Sequence, residues 1–215
     1  IEEVKVVNGL NIDIIDLKEP KNGPIGMLDF IDIKKIVLAL RDNNFCGKIS
    51  TTFELNDGNL SRNDIAKLED LGSVGLDYIK VGVSADGNTW ENLKKFTKSL
   101  SKIKNRVLEN KLILVLMITD KHSFKFVKNI SPSMVGKFSG IMIDTLDKEN
   151  GSVFDIVNFT ELSIIKKFAL ENNIDFGIAG SLDVSHTSLI NQLQPNWAGY
   201  RGGVCLKKRS GPLSR

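Results

Sequence analysis

The sequence predicts a single-domain protein of the α/β class from three observations, which are the alternation of its segments, the absence of a linker and its length. Short apolar segments of strand length alternate with longer amphipathic segments along the whole chain. Strict alternation of this kind implies parallel strands joined by right-handed crossovers. No Pro-, Gly- or Ser-rich linker divides the 215 residues, and α/β barrels of roughly 200 to 250 residues fold as one domain. We therefore expect one domain over residues 1–215.

The predicted elements follow the apolar periodicity. Strands are predicted over residues 12–18, 46–53, 77–83, 112–118, 138–144, 174–179 and 196–201. Helices are predicted over residues 30–44, 61–73, 89–109, 122–130, 159–172 and 185–193. Ser61 and Asn88 are candidate helix N-caps, and the opening segment indicates a helix that ends at Gly9.

The count of elements separates two α/β architectures. Seven strands that follow a helix and end just after a strand indicate a (βα)8 TIM barrel without its first strand and last helix in the sequence shown. The alternative is an open doubly wound sheet, which usually carries a glycine-rich phosphate loop after an early strand. No G-x-G-x-x-G motif occurs in the sequence. This favours the barrel.

Composition argues against two kinds of partner. The 29 basic and 26 acidic residues are scattered, so no strong field would attract nucleic acid. The apolar run 112–118 is far too short for a transmembrane helix, and the N-terminal segment lacks a signal-peptide layout. Cys46 and Cys205 fit no metal-ligand or redox spacing. We expect a cytoplasmic protein that binds neither nucleic acid nor membrane.

Charged residues occupy strand positions that should face the barrel interior. Side chains alternate along a strand, so Asp16 and Lys18 share a face in "DIIDLKEP". The same parity turns Lys80 inward in "DYIKVGV" and Asp144 inward in "GIMIDT". Solvated ion pairs are the alternative, but four convergent charges would lose costly hydration. Their place near the strands' C-terminal ends, where barrel enzymes build active sites, favours a functional cluster.

Two lysines and two aspartates in one cavity are suited to aldol chemistry. An amine with a lowered pKa attacks a carbonyl to form a Schiff base, and carboxylates move protons during enolisation and dehydration. Lys148, four residues after Asp144, lies in a loop that could bring its ammonium group over the cavity, although such lysines are usually just solvated.

Glycine-containing segments follow the last two predicted strands. In barrels, phosphate groups often bind there to backbone N–H groups that glycine leaves accessible. The alternative is that these glycines only serve turns. The segments "IAGSL" and "YRGGVC" supply the candidate phosphate-binding residues Gly180, Ser181, Arg201, Gly202 and Gly203.

At these residues the sequence resembles the (5-formylfuran-3-yl)methyl phosphate synthases of methanofuran biosynthesis. The matching segments are "DIIDLKEPKNGPIG", "GLDYIKVGV", "MIDTLDKENGSVFDI", "AGSL" and "YRGGVC", which span nearly the whole chain. The resemblance implies a barrel enzyme that joins two molecules of glyceraldehyde 3-phosphate into 4-(hydroxymethyl)-2-furancarboxaldehyde phosphate, with loss of phosphate and water.

The resemblance also implies a role for each charged residue. Lys18 would be the Schiff-base lysine with Lys80 beside it, and Asp16 would orient Lys18. Asp144 and Lys148 would be the acid/base and the loop lysine. No metal or organic cofactor is expected, since the protonated imine is itself the electron sink. The implied partner is a small phosphorylated triose. Formation of a homo-oligomer is possible and is left undecided by the sequence.

Two other functions remain as alternatives. One is another class I aldolase that acts on phosphorylated sugars. The other is a non-catalytic barrel that binds a phosphorylated metabolite.

Overall fold

A single parallel sheet organises the chain. A computed structural model describes residues 2–7, 10–19, 26–55, 57–103, 108–147 and 150–205. Within them, the strands pair in chain order, all parallel: β1 Ile14–Leu17, β2 Lys48–Glu54, β3 Tyr78–Ser84, β4 Leu112–Ile118, β5 Gly140–Thr145, β6 Asp175–Ala179 and β7 Trp197–Gly199. The seven predicted strands are confirmed.

The helices lie mainly in the connections between these strands. They are α1 Glu2–Val7, α2 Phe30–Asp42, α3 Arg62–Ser73, α4 Thr89–Leu100, α5 Lys121–Val127, α6 Pro132–Val135, α7 Val153–Ile156, α8 Phe159–Glu171 and α9 Thr187–Leu193. Single 3₁₀ turns cover Val184–His186 and Gly202–Val204. Among the described residues, no helix combines the length and the apolar character needed to cross a bilayer.

Some predicted helix boundaries were wrong. The helix predicted over 89–109 ends at Leu100, and the chain turns through Ser101 and Lys102 towards β4. Ser61 caps α3 through a reciprocal pair of hydrogen bonds with Asp64, as predicted. Asn88 precedes α4, but its side chain makes no capping hydrogen bond. Gly9 lies outside the described residues.

The sheet is curled rather than flat. The rings of Tyr78 on β3 and Trp197 on β7 lie 5.4 Å apart between centroids. Four steps between neighbouring strands of a flat sheet would separate these positions by about 19 Å. The sequential strand order also differs from that of a doubly wound sheet. The α/β class is therefore confirmed, and the curled parallel sheet is consistent with a TIM-like barrel.

The two faces of the sheet pack into two separate apolar clusters. The larger cluster joins outward strand residues such as Val81 and Ile143 to the buried faces of the helices. The smaller one, here called the inner cluster, comprises Tyr78, Ile113, Val115, Met117 and Met142, with Ile14, Leu146, Ala179 and Trp197 packed against them. The inward parity predicted for β3 and β5 is therefore confirmed by Tyr78 and Met142.

Candidate active site

A cluster of one carboxylate and two ammonium groups forms on the inward face of β1–β3. Asp16 and Lys18 lie at the end of β1, whereas Lys80 is the third of the seven residues of β3. The Lys80 Nζ donates a hydrogen bond to Asp16 Oδ2 at 2.5 Å, and the Lys18 Nζ lies 3.6 Å from the same oxygen. The other carboxylate oxygen, Oδ1, accepts a hydrogen bond of 2.7 Å from the hydroxyl of Ser50. Three of the predicted catalytic residues thus meet.

Strand register explains how residues so distant in sequence come together. Asp16 on β1 is paired with Ser50 on β2, and Lys80 on β3 is paired with Thr52, the next inward position of β2. The long lysine side chain therefore extends from β3 across β2 to reach the β1 carboxylate.

The cluster is largely withdrawn from solvent, and this has electrostatic consequences. The Lys18 and Lys80 side chains are 15% and 14% exposed, and that of Asp16 is 26% exposed. Burial raises the pKa of the Asp16 carboxyl, but the charges of Lys80 and Lys18 and hydrogen bonds from Lys80 and Ser50 lower it. The net result is a pKa below the ordinary value, so Asp16 is a carboxylate at neutral pH.

Asp144 lies on the same inward face, two strands further along the sheet. It follows Met142 of the inner cluster by two positions on β5, is paired with Met117, and is only 6% exposed. Its Oδ1 accepts a hydrogen bond of 2.7 Å from the backbone N–H of Thr145. The inward placement supports a role in the cavity, which stays a prediction. Lys148 lies outside the described residues.

The glycine segments after β6 and β7 pack against neighbouring loops through close backbone approaches. Gly180 has a φ of +110°, and a Cβ there would lie 2.7 Å from the Thr145 side chain at the end of β5. A Cβ at Gly203 would lie 2.8 Å from the carbonyl oxygen of Leu182. The ends of β5, β6 and β7 are therefore joined. By contrast, among the described residues nothing lies within 4 Å of a Cβ at Gly202.

Of the other two candidate phosphate ligands, Arg201 is engaged with a carboxylate. Its two terminal nitrogens donate to the Glu3 carboxylate at 3.1 and 3.0 Å, in a bidentate pair that ties the β7 end to α1. Ser181 is exposed and has a left-handed φ of +48°. Phosphate binding by the five residues of these segments stays a prediction.

Ser50 is a site residue that the sequence analysis missed. It is 3% exposed and bonds directly to the central carboxylate. Strand parity places Ser50 on the inward face, but β2 carries small polar residues on both faces, so the sequence pattern alone does not single it out. Among the described residues, no three His, Cys, Asp or Glu side chains group in a way that could hold a metal ion.

Solved structures place the fold among barrel proteins. CutC from Streptococcus agalactiae superposes with a TM-score of 0.61 at 12% identity, covering 91% of each chain. An HpcH/HpaI aldolase from Desulfitobacterium hafniense superposes with a TM-score of 0.52 at 10% identity, covering 92% of this chain and 81% of the other. At such low identities, these similarities define the architecture alone. The molecule is an α/β protein whose curled parallel sheet is consistent with a TIM-like barrel and carries a charged cluster on the inward face of β1–β3.

Sequence comparison assigns the family. The chain belongs to the 4-HFC-P synthase family, whose model matches residues 1–215. The (5-formylfuran-3-yl)methyl phosphate synthase of Methanosarcina acetivorans is 28% identical, over 95% of this chain and 86% of its own length. The synthase of that name from Archaeoglobus fulgidus is 26% identical, over 100% and 90%. The predicted family is confirmed, and with it the prediction that the chain is an enzyme.

Proposed function

We propose that the chain condenses two molecules of glyceraldehyde 3-phosphate into 4-(hydroxymethyl)-2-furancarboxaldehyde phosphate, through an imine on Lys18, for methanofuran biosynthesis. The observation that carries this proposal is the Asp16 carboxylate oxygen approached by both Lys80 and Lys18 on the inward face of β1–β3. Membership of the synthase family supports the proposed furan product, which the relatives' name describes. Glyceraldehyde 3-phosphate is the substrate that the family resemblance implies.

The shared carboxylate gives the two lysines different electrostatic environments. Lys80 is 2.5 Å from Asp16 Oδ2, whereas Lys18 is 3.6 Å from it. Coulomb attraction falls with distance, so this oxygen holds the Lys80 side chain more tightly than that of Lys18. The weaker hold of this oxygen on Lys18 favours Lys18 as the nucleophile that attacks an aldehyde.

The proposed reaction begins when the Lys18 nitrogen adds to the aldehyde carbon of one triose phosphate, and loss of water gives the imine. Deprotonation next to the protonated imine, and loss of phosphate, follow. The resulting carbon nucleophile adds to the second triose phosphate, cyclisation with dehydration forms the furan ring, and hydrolysis of the imine frees Lys18 and leaves the aldehyde group. In this scheme Asp144 and Lys148 move the protons.

Phosphate recognition is assigned to the loops after β6 and β7. The packing of Gly203 against Leu182 and Asp183 brings the two segments side by side, which supports a joint site. Arg201 would then contribute a guanidinium donor beside its pair with Glu3. The reaction needs no metal or organic cofactor, because the imine stabilises the carbanion.

Product formation tests this function. The protein is incubated with glyceraldehyde 3-phosphate while the furan-aldehyde absorbance and the release of inorganic phosphate are followed. We expect both signals from the wild-type protein and neither from Lys18→Ala. The matched control is Lys167→Ala, which removes an exposed lysine paired with Glu171 on α8, and it should keep wild-type activity.

Other results would contradict the proposal and separate the alternatives. An aldol product without the furan absorbance would indicate another class I aldolase. Binding of glyceraldehyde 3-phosphate without turnover, unchanged in Lys18→Ala, would indicate a barrel that only binds a phosphorylated metabolite.

A further inference from the structure

Ser50 is buried at the centre of the charged cluster but has no part in the chemistry described above. It lies on the inward face of β2, between Asp16 on β1 and Tyr78 on β3 in the strand register. With 3% of its surface exposed, its hydroxyl is shielded from water. The hydroxyl donates to Asp16 Oδ1 at 2.7 Å, a charge-assisted hydrogen bond.

This hydrogen bond divides the two oxygens of the Asp16 carboxylate between different partners. Oδ1 bonds to Ser50, and Oδ2 faces Lys80 and Lys18. The terminal torsion of an aspartate is broad and roughly twofold. Without an anchor on one oxygen, the carboxylate could rotate and change its distances to the two ammonium groups.

We propose that Ser50 is a positioning residue that holds the Asp16 carboxylate so that Lys80 takes the close ion pair and Lys18 reacts as the nucleophile. The inference rests on the proposed function, since it assigns Ser50 a part in selecting the reacting lysine. In this role Ser50 acts through Asp16.

The neighbouring hydroxyl groups of β2 have other partners. Thr52, the next inward residue, donates to the carbonyl oxygen of Gly26 at 3.2 Å. Thr51 points to the helix-facing side and donates to the carbonyl oxygen of Leu17 at 3.0 Å. Thr51 therefore supplies a matched control, because it is buried on the same strand and loses one hydrogen bond in Thr51→Val without touching Asp16.

The test is borohydride trapping with glyceraldehyde 3-phosphate, followed by peptide mass spectrometry of the adducts on Lys18 and Lys80. The amine and aldehyde lose water to form the imine, and borohydride adds hydride to the imine carbon, giving a stable secondary amine. Wild-type protein, Ser50→Ala, Ser50→Thr and Thr51→Val are compared, with circular dichroism to confirm that each variant is folded.

We expect Ser50→Ala to form the Lys18 adduct about tenfold more slowly and to carry a new adduct on Lys80. The corresponding loss should appear in kcat, with KM within about twofold, because the hydrogen bond affects reactivity rather than substrate binding. Ser50→Thr keeps a hydroxyl and should restore the adduct to Lys18. Thr51→Val should lower stability but keep the wild-type adduct pattern.

Two results would overturn the role of Ser50. One is a folded Ser50→Ala protein that forms only the Lys18 adduct at the wild-type rate. The other is an equal loss in Ser50→Ala and Thr51→Val with no change in adduct ratio, which would show a general structural effect. Absence of the Lys18 adduct in the wild-type protein would reject the proposed function itself, before any variant is compared.

Discussion

The inward face of the sheet has two halves of opposite character. On β1–β3 it carries the charged cluster of Asp16, Lys18 and Lys80 together with Ser50. On β4–β7 most inward side chains belong to the inner apolar cluster, which also takes in Tyr78 of β3 and Ile14 of β1, and Asp144 is the buried charge near the end of β5. The second half shows that apolar side chains can fill this interior. Folding therefore does not account for the charges of the first half.

The apolar half depends on close packing of one large ring against two glycines. A Cβ at Gly140 would lie 2.4 Å from the Trp197 ring, and one at Gly177 would lie 3.0 Å from it. The indole therefore occupies space that any side chain at these positions would fill. This half is built for packing, whereas the charged half contains groups whose burial costs free energy unless they are paired.

The largest expected effect on activity comes from removing the Asp16 carboxylate at the centre of the charged half. Asp16→Asn keeps the shape of the side chain but leaves Lys80 and Lys18 without their shared carboxylate. We expect product formation to fall on the order of 10³-fold, the scale of losing a proton-transfer or orienting group. Steady-state measurement of furan absorbance checks this.

The control for this prediction lies in the apolar half. Met142→Leu conserves volume in the inner cluster and should cost less than about 1.5 kcal/mol in unfolding free energy, with activity nearly unchanged. An Asp16→Asn enzyme as active as Met142→Leu would contradict the division between the halves.

A medium effect is expected on stability in the apolar half. Gly140→Ala places a Cβ against the Trp197 ring and 3.1 Å from the carbonyl oxygen of Asp175, so overpacking should cost about 1–3 kcal/mol. Gly202→Ala, where the Cβ meets no described residue within 4 Å, should change stability by less than about 1 kcal/mol. Urea unfolding of both variants gives the comparison, and equal losses would refute the packing argument.

The smallest effect is an acid dependence of stability that arises in the charged half. The pKa of Asp16 is lowered in the folded state by Lys80, Lys18 and Ser50 against the opposing effect of burial. A lowered folded pKa stabilises the protein above the unfolded pKa of about 4, and the contribution is lost as pH falls through the folded value.

The stability advantage of the wild-type protein over Asp16→Asn should therefore shrink as pH falls below about 4. Urea unfolding at a series of acidic pH values measures it. An advantage that grows towards low pH would mean that the folded pKa is raised instead.

The charged cluster could be predicted from strand parity, because apolar neighbours identify the outward face of β1 and of β3. Ile15 and Leu17 identify the outward side of β1, which leaves Asp16 inward, and Ile79 and Val81 do the same for Lys80. The segment "KISTTFE" of β2 places small polar residues on both faces, so its pattern does not single out Ser50. That contact required the three-dimensional register.

Other features of the structure could not be predicted from the local sequence pattern. Helices α6 and α7 have four residues each, too short for a helical period to show. The Arg201–Glu3 pair joins residues 198 positions apart, beyond any pattern of spacing. The apolar pattern of the helix predicted over 89–109 continues through Ile103. In the structure α4 ends at Leu100, and Ser101 and Lys102 form a turn.

The central claim is that Lys18 forms the imine beside the Asp16–Lys80 pair. Borohydride trapping of the wild-type protein with glyceraldehyde 3-phosphate, followed by peptide mass spectrometry, tests it most directly. We predict one dominant adduct, on Lys18. An adduct on Lys48 instead, at the opposite end of the inward face where it bonds to Tyr78, or no adduct on any lysine of the folded protein, would contradict the claim.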